Sequence, residues 1–143
     1  MSRQLVVEKS VTLKADVSTV WEALTNPEIT KKYFFNCEAI SDWKAGSPIV
    51  FKMMSDGNEM VPVKGVITAI EPERLLEHTC FSPEFENVPS KHTTVTYKLS
   101  PENNVTELSV TQGDFGDNEV AYNHTDASWD TVLDALKSIV EKS

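Results

Sequence analysis

The stretch from Asn118 to Lys142 carries the clearest periodic pattern in the chain. Its apolar positions recur at the α-helical period, which predicts one long amphipathic helix covering another layer of structure. The apolar face comprises Tyr122, Thr125, Trp129, Val132, Leu133, Leu136, Ile139 and Val140, and the polar face Asn123, His124, Asp130, Asp134, Lys137 and Glu141. Tyr122, Thr125 and Trp129 bring polar groups into the first half of the apolar face, and Asp126 lies at its margin. Such groups need hydrogen-bond partners, which a pocket filled by water or ligand can supply.

A strand and two short helices are predicted before the middle of the chain. Alternating apolar residues predict a strand from Leu5 to Leu13. Asp16 is suited to cap a helix from Val17 to Thr25, whose apolar residues follow the i, i+3, i+4, i+7 rule. Asn26 caps well and Pro is favoured in a first turn, so a second helix is predicted from Pro27 to about Tyr33.

Strand-like alternation fills the middle of the chain. The six predicted strands are Cys37–Asp42, Pro48–Met54, Val61–Glu71, Arg74–Phe81, Thr93–Ser100 and Val105–Gln112. Short turns rich in Gly, Pro, Asp and Asn separate most of them, which favours antiparallel pairing of consecutive strands. One longer irregular segment, Ser82–Lys91, contains two prolines and Phe85. Loops of this kind often act as lids or binding loops.

The order of these elements predicts an α+β fold. A curved antiparallel sheet of six to seven strands can wrap around the long C-terminal helix, leaving space where helix and sheet diverge. The two short helices follow the first strand. A length of 143 residues suits a single domain over residues 1–143.

Composition narrows the classes of partner. The chain has 22 Asp and Glu against 13 Lys and Arg, a formal charge of -9 that repels polyphosphates and anionic membrane surfaces. We therefore expect no nucleic-acid binding. The chain shows neither an apolar run long enough to cross a bilayer nor the apolar core of a signal peptide. We expect no membrane insertion and a cytoplasmic location.

Short motifs along nearly the whole chain carry a family resemblance. They are Ala15, Val20-Trp21 and Leu24, then Asn26-Pro27-Glu28, Asp42-Trp43-Lys44-Ala45-Gly46, Gly65 with Ile67, Ile70 to Leu75, and Trp129 with Leu133 and Leu136. In this order they resemble the START-like, Bet v 1-like (SRPBCC) helix-grip superfamily, and within it the branch of the activator of Hsp90 ATPase homologue C-terminal domain. Asp16 and Ser128 stand where that family usually has Pro and Gly.

The resemblance implies the helix-grip fold and leaves several functions open. The superfamily includes lipid and hormone carriers, aromatase or cyclase components and co-chaperones that bind Hsp90. A shared fold does not settle which of these applies.

The three histidines do not form a catalytic or metal-binding pattern. His78, His92 and His124 lack metal-ligand spacing, and we interpret them as ordinary strand or surface histidines. His92 and His124 are expected to face solvent. We predict no catalytic residues, no metal and no cofactor, and an enzyme is the less favoured class.

The remaining candidate residues have simple structural explanations. Asp114, Asp117 and Glu119 lack the spacing of a calcium loop, and helix capping and the helix dipole account for acidic residues at that place. Cys37 and Cys80 lie far apart in the sequence, and we interpret them as buried free thiols.

The candidate site is a pocket between the first half of the C-terminal helix and the sheet. Its predicted residues are Tyr122, Thr125, Asp126 and Trp129 from the helix, Phe51, Met53 and Tyr97 from the sheet, Phe34, and Phe85 as a gate. The alternative is a solid core, because aromatic and methionine side chains at these spacings usually fill space.

Three functions follow from this pocket and the resemblance. The first is a non-enzymatic binding protein for a small apolar or amphipathic ligand, whose polar end Tyr122, Thr125 or Asp126 would orient. The second is a co-chaperone-like module that touches Hsp90 through its surface. The third is an enzyme acting on a pocket-bound ligand, for which the sequence offers no recognisable acid/base group.

Overall fold

Seven strands and three α-helices make up the part of the chain that the computed structural model describes, residues 5–88, 91–113, 115–116 and 118–142. In chain order they are β1 (Val7–Leu13), α1 (Val17–Thr25), α2 (Pro27–Tyr33), β2 (Glu38–Ser41), β3 (Pro48–Ser55), β4 (Asn58–Glu71), β5 (Leu75–Cys80), a 3-10 turn (Pro83–Phe85), β6 (Thr93–Glu102), β7 (Val105–Gly113) and α3 (Glu119–Glu141). All ten predicted elements are present.

The strands form one antiparallel sheet in the order β1-β7-β6-β5-β4-β3-β2. Consecutive strands from β2 to β7 pair as neighbours, and β1 joins the free edge of β7. The long helix α3 lies against this sheet. The predicted α+β helix-grip fold, a curved antiparallel sheet wrapped around a C-terminal helix, is confirmed.

The strand bounds differ most at the start of β4. The sequence predicts a start at Val61, whereas the strand begins at Asn58, directly paired with Ser55. Asp56 and Gly57 have backbone φ angles of 51° and 82°, the left-handed conformation of a two-residue hairpin turn. Such a turn lets pairing begin at once, so the strand gains three residues.

Both predicted caps of the short helices are present. The carboxylate of Asp16 accepts a hydrogen bond from the Thr19 amide at 2.9 Å, and the side chain of Asn26 accepts one from the Glu28 amide at 2.9 Å. Each cap satisfies an amide that would otherwise lack a partner in the first helical turn.

The core lies between α3 and the inner face of the sheet. The buried residues of α3 are Trp129, Val132, Leu133, Leu136 and Val140. Tyr122, Thr125 and Ile139 are half-buried. The second half of the helix therefore anchors the fold, as its aliphatic pattern predicts.

The ladder between β4 and β5 is interrupted near Gly65. Ile67 pairs with His78, and the next bridge is Lys64 with Phe81. Between them the Val66 amide donates to the Thr79 hydroxyl at 2.9 Å. The Thr79 carbonyl instead lies over Gly65, where an added Cβ would be 1.8 Å from its oxygen.

Candidate ligand-binding cavity

A cavity of about 210 Å³ lies between the first half of α3 and the inner face of the sheet. Its wall is formed by Phe34, Phe35, Phe51, Val63, His78, Cys80, Val95, Tyr97, Gln112, Thr125, Ser128, Trp129 and Val132. Most of these side chains are apolar or aromatic. The inward alternation of the strands and the first half of the α3 stripe together bring them to one place.

Five aromatic side chains form a closed circuit in the cavity wall. Phe34 stacks on Phe51 with ring centroids 5.2 Å apart. The circuit continues from Phe51 to His78 at 5.7 Å and from His78 to Tyr97 at 6.3 Å. Tyr97 meets Trp129 edge to face at 5.8 Å, and Trp129 meets Phe34 in the same way at 6.1 Å. Each contact is in the range of favourable aromatic pairs, so the wall is held rigidly.

The indole of Trp129 is fixed by a hydrogen bond to the sheet. Its Nε1–H donates to Oε1 of Gln112 at 2.8 Å, and the Gln112 amide donates to Oγ1 of Thr93 at 3.0 Å. These polar groups are satisfied by each other. They orient the indole and occupy both its N–H and the Gln112 amide nitrogen.

The imidazole of His78 is a buried polar group in the wall. Only 2% of the residue is exposed, and its Nδ1 lies 2.8 Å from the Thr79 carbonyl oxygen. A carbonyl can only accept, so Nδ1 carries the proton and Nε2 is a bare acceptor. Burial lowers the pKa of His78 below its ordinary value of 6.5, which favours this neutral form. Nε2 has no hydrogen-bond partner among the described residues.

The hydroxyl of Tyr97 is the second such group. The residue is 7% exposed, and burial raises its pKa, so it remains a neutral phenol. No residue in the described ranges bonds its hydroxyl. Tyr33 differs, because its buried hydroxyl donates to the Ala23 carbonyl at 2.8 Å.

Both unpartnered atoms must border open space. Every fully enclosed side-chain nitrogen and oxygen of the described residues has a partner, so an unpartnered one is within reach of a water-sized molecule. His78 and Tyr97 line the cavity and also a void of about 10 Å³. Of these two spaces, only the cavity has room for more than a single water molecule.

The cavity opens beside Phe35. This residue is 52% exposed although it lines the cavity, so it marks the mouth. Phe35 and Asn36 have backbone φ angles of 52° and 63°. The left-handed conformation is costly for a bulky residue such as Phe, and strain of this kind concentrates at functional sites.

A second, more polar space of about 580 Å³ adjoins the cavity. Val63, Cys80 and Gln112 line both spaces, and Phe85 and His92 line the outer one. The expectation that His92 faces solvent is wrong. Its ring stacks on Phe81 at 4.1 Å and its Nε2 donates to the Phe85 carbonyl at 2.8 Å, because the 3-10 turn folds over this strand end. His124 is exposed as predicted.

Comparison with known proteins places the chain in a family. The family described as "Activator of Hsp90 ATPase homolog 1-like protein" matches residues 14–141. The chain belongs to this family. It is a member of the START-like, Bet v 1-like superfamily, as its motifs predict. No curated protein sequence matches it significantly.

Solved structures of similar proteins support the fold of this family member. A protein from Cytophaga hutchinsonii is 33% identical, with a TM-score of 0.81 over 99% of this chain and 97% of that one. The Aha1 dimer from Colwellia psychrerythraea is 21% identical, with a TM-score of 0.75 over 95% and 96%. DynU16, a protein of the dynemicin biosynthetic locus, is 19% identical, with a TM-score of 0.74 over 97% of this chain and 48% of that one.

The predicted pocket residues divide into three groups. Those that line the cavity are Phe34, Phe51, Tyr97, Thr125 and Trp129. Phe85 lines the outer space. Met53, Tyr122 and Asp126 line neither.

The last group has other contacts. Met53 and Tyr122 pack against the buried core, and Tyr122 also meets Phe115 edge to face at 6.4 Å. Asp126 forms an ion pair with Lys9 of β1 at 3.1 Å. This pair accounts for a lysine on the inner face of β1 and ties α3 to the sheet.

His78 and Gln112 are among the cavity residues that the sequence interpretation missed although a signal for them exists. His78 lies two residues after the buried Leu76, and Gln112 two residues after the buried Val110. Alternation along a strand predicts that both side chains point inward.

The two thiols are free, as predicted. Cys37 is buried, whereas Cys80 is only half-buried because it borders the open space of both cavities. Burial raises the pKa of Cys80 to about 11.

The acidic cluster before α3 lies partly outside the described residues, namely at Asp114 and Asp117. The helix cap there is Asn118, whose side chain accepts from the Ala121 amide at 3.1 Å. Within the described ranges, no three His, Cys, Asp or Glu side chains come together as a metal site would require. No described helix is both long and apolar enough to cross a membrane.

Proposed function

We propose that the chain acts as a single START-like domain over residues 1–143 that binds one small apolar or amphipathic molecule without catalysing a reaction. The observation that carries the proposal is the cavity of about 210 Å³ walled by the five-ring aromatic circuit. An apolar cavity of about 150 Å³ admits benzene. The cavity therefore suits a one-ring or small two-ring molecule.

The proposed contacts are the residues that line the cavity. Phe34, Phe51 and Trp129 supply apolar surface, and Thr125 and Tyr97 supply hydroxyls. Phe85 would contact only a ligand that extends into the outer space. We propose no ligand contact for Asp126, because Lys9 holds its carboxylate elsewhere.

The size of the cavity also sets the expected affinity. A buried aromatic ring removes about 150 Å² from water, which is worth about 4 kcal/mol at 25 cal/mol per Å². Association costs offset part of this gain, so a one-ring probe should bind in the millimolar range. A ligand that also uses the outer space should bind more tightly.

The experiment is a titration with indole, toluene and phenol at millimolar concentration, followed by amide chemical shifts. We expect the amide chemical shifts of the residues around the cavity to change when a probe is added. These changes should be absent in Val95→Phe, whose phenyl ring would occupy part of the cavity. Val66→Phe is the matched control, because Val66 is 40% exposed and does not line the cavity. The absence of saturable shifts with every probe would overturn the proposed function.

Binding to an Hsp90-type chaperone is the second candidate. The family description supports it, and so do Met54 and Met60 near the β3–β4 turn, which are 56% and 49% exposed. Exposed methionines suit an adaptable protein contact. The test measures the ATPase rate of the host Hsp90 with the native chain and with the Met54→Ser and Met60→Ser double variant. An unchanged rate with the native chain would remove this candidate.

A further inference from the structure

We propose that the ligand is a neutral aromatic molecule bearing a hydroxyl group, of the phenol class, whose hydroxyl donates a hydrogen bond to Nε2 of His78. This inference rests on the proposed binding function and names the chemistry of its ligand. The aromatic circuit selects the ring, and the unpartnered acceptor selects the hydroxyl.

The central observation is an acceptor atom in a buried ring that no described residue bonds and that open space reaches. His78 is 2% exposed, and its Nδ1–H is already committed to the Thr79 carbonyl at 2.8 Å. Its Nε2 therefore carries an unbonded lone pair at the edge of the open space that this ring borders. A ligand that displaced water from this atom without offering a donor would leave it unpaired, which disfavours binding, whereas a ligand with a donor would pair it.

The backbone fixes which nitrogen is the acceptor. The Thr79 carbonyl is free to accept from His78 because the Val66 amide bonds the Thr79 hydroxyl instead. Gly65 provides the room, since any Cβ at this position would clash with that carbonyl oxygen at 1.8 Å. The interrupted ladder thus holds His78 in the Nδ1–H tautomer, with Nε2 as the acceptor.

Tyr97 complements this acceptor. It neighbours His78 in the circuit at 6.3 Å between ring centroids, and its hydroxyl has no partner in the described part of the chain. That hydroxyl can donate to a ligand oxygen. A hydroxyl that gives its proton to Nε2 keeps lone pairs with which to accept from Tyr97.

The same wall disfavours other ligand classes. A carboxylate offers only acceptors to Nε2, and no described Lys or Arg lines the cavity to balance its charge. A pure hydrocarbon leaves the His78 acceptor unpaired. A neutral phenol satisfies the acceptor and brings no charge.

The experiment compares phenol with toluene, which has nearly the same shape, and with anisole, which cannot donate. Dissociation constants come from amide chemical shift titrations of the full chain. We expect phenol to bind about tenfold more tightly than either analogue, because only phenol pairs the buried acceptor. The Nε2 nitrogen resonance of His78 should move when phenol is added and stay in place with toluene.

Variants separate this inference from the binding function itself. In His78→Phe the order should reverse, with toluene tighter than phenol, and Tyr97→Phe should reduce the phenol preference. Tyr33→Phe is the matched control, since that hydroxyl already bonds the Ala23 carbonyl, and it should leave the ratio unchanged.

The results of these titrations test the phenol assignment and the binding function separately. Equal affinity for phenol and toluene in the native chain, or an unmoved Nε2 resonance, would overturn the phenol assignment while the binding function stands. Failure of all three probes and of indole to bind would overturn the binding function. If His78→Phe does not fold, the phenol assignment is still tested by the Nε2 resonance of the native chain and by the ratio of phenol to toluene affinity in Tyr97→Phe.

Discussion

Replacing Gly65 with Ala tests the interrupted ladder that positions His78. An alanine Cβ would lie 1.8 Å from the Thr79 carbonyl oxygen and 2.6 Å from its carbon. Real Cβ contacts stay beyond 3.0 Å, so the two strands must separate locally by more than 1 Å. Neither neighbour is a flexible side-chain end that could turn aside.

The cost follows from the hydrogen bonds that flank this contact. The Lys64 and Phe81 amides donate to each other's carbonyls at 2.9 and 3.0 Å, and the Val66 amide donates to the Thr79 hydroxyl at 2.9 Å. Loss of three such bonds is worth about 3 kcal/mol. Alanine in a strand returns about 0.5–1 kcal/mol of backbone entropy. We therefore expect the free energy of unfolding to fall by about 2–3 kcal/mol.

Two other glycines provide matched controls in equilibrium urea unfolding followed by tryptophan fluorescence. Gly57→Ala should cost about 1–2 kcal/mol, because φ is 82° although nothing lies within 4 Å. Gly113→Ala should cost less than Gly65→Ala, because its contacts, Val6 Cγ2 at 2.8 Å and Val6 Cα and Cβ at 3.1 Å, need only a few tenths of an ångström of movement. A Gly65→Ala loss below 1 kcal/mol would refute the reasoning, because the carbonyl would then have moved without disturbing the ladder.

Three further predictions concern buried polar groups. Because burial lowers the pKa of His78 below 6.5, the unfolded chain takes up the proton first. The free energy of unfolding should fall as pH drops below about 6.5, by up to about 1.4 kcal/mol per pH unit, until the folded pKa is passed. Urea unfolding at pH 5–8 measures this dependence. The free energy of unfolding should vary less with pH in His78→Phe than in the native chain, whereas His124→Gln should keep the native dependence. If His78→Phe kept the native dependence, His78 would not be its source. Cys80 should react slowly with iodoacetamide, because the thiolate is the reactive form and the pKa of this thiol is raised to about 11. At pH 8 we expect the reaction to be at least tenfold slower in the native chain than in urea, as measured by peptide mass spectrometry. Thr30→Val should cost about 1–3 kcal/mol in urea unfolding, because the Ala39 amide loses the hydroxyl it bonds at 2.9 Å; a loss near zero would show that this amide finds another partner.

The elements of the fold could be predicted because their signals are local. Period-2 and period-3.6 patterns, the caps Asp16 and Asn26, and the Asp56-Gly57 turn depend on residues within a few positions of each other. The start of β4, the strand bound that differs most from its prediction, also has a signal in the sequence. Asp-Gly is a strong marker of a two-residue hairpin turn, which places the strand start at Asn58 and not at the predicted Val61.

The candidate site was only partly predictable, because its contacts are not local. Periodicity showed that Tyr122 and Trp129 share a helix face, but only the distance between α3 and the sheet decides that Trp129 borders the cavity and Tyr122 does not. The partner of Asp126 is Lys9, more than a hundred positions earlier in the chain. The register that brings them together depends on the pairing of β1 with β7.

The tautomer of His78 is the feature of the site that the sequence was least able to predict. It depends on the Thr79 carbonyl, which accepts from His78 and lies over Gly65, where no side chain stands in its way. No pattern in β5 alone contains this information. Gly65 was noted in the sequence for its family resemblance, and its physical role became visible only with the strands in register.

Filling the cavity should separate stability from binding. Side-chain atoms placed in the cavity would gain van der Waals contacts with its wall and would be removed from water. Each buried methylene is worth about 0.8 kcal/mol. Val95 is 3% exposed and lines the cavity, so Val95→Phe should raise the free energy of unfolding by about 1 kcal/mol while removing the binding of phenol. Val66→Phe, on the exposed surface, should change neither quantity. If Val95→Phe instead lowered the stability by more than 1 kcal/mol, the wall could not accept a ring.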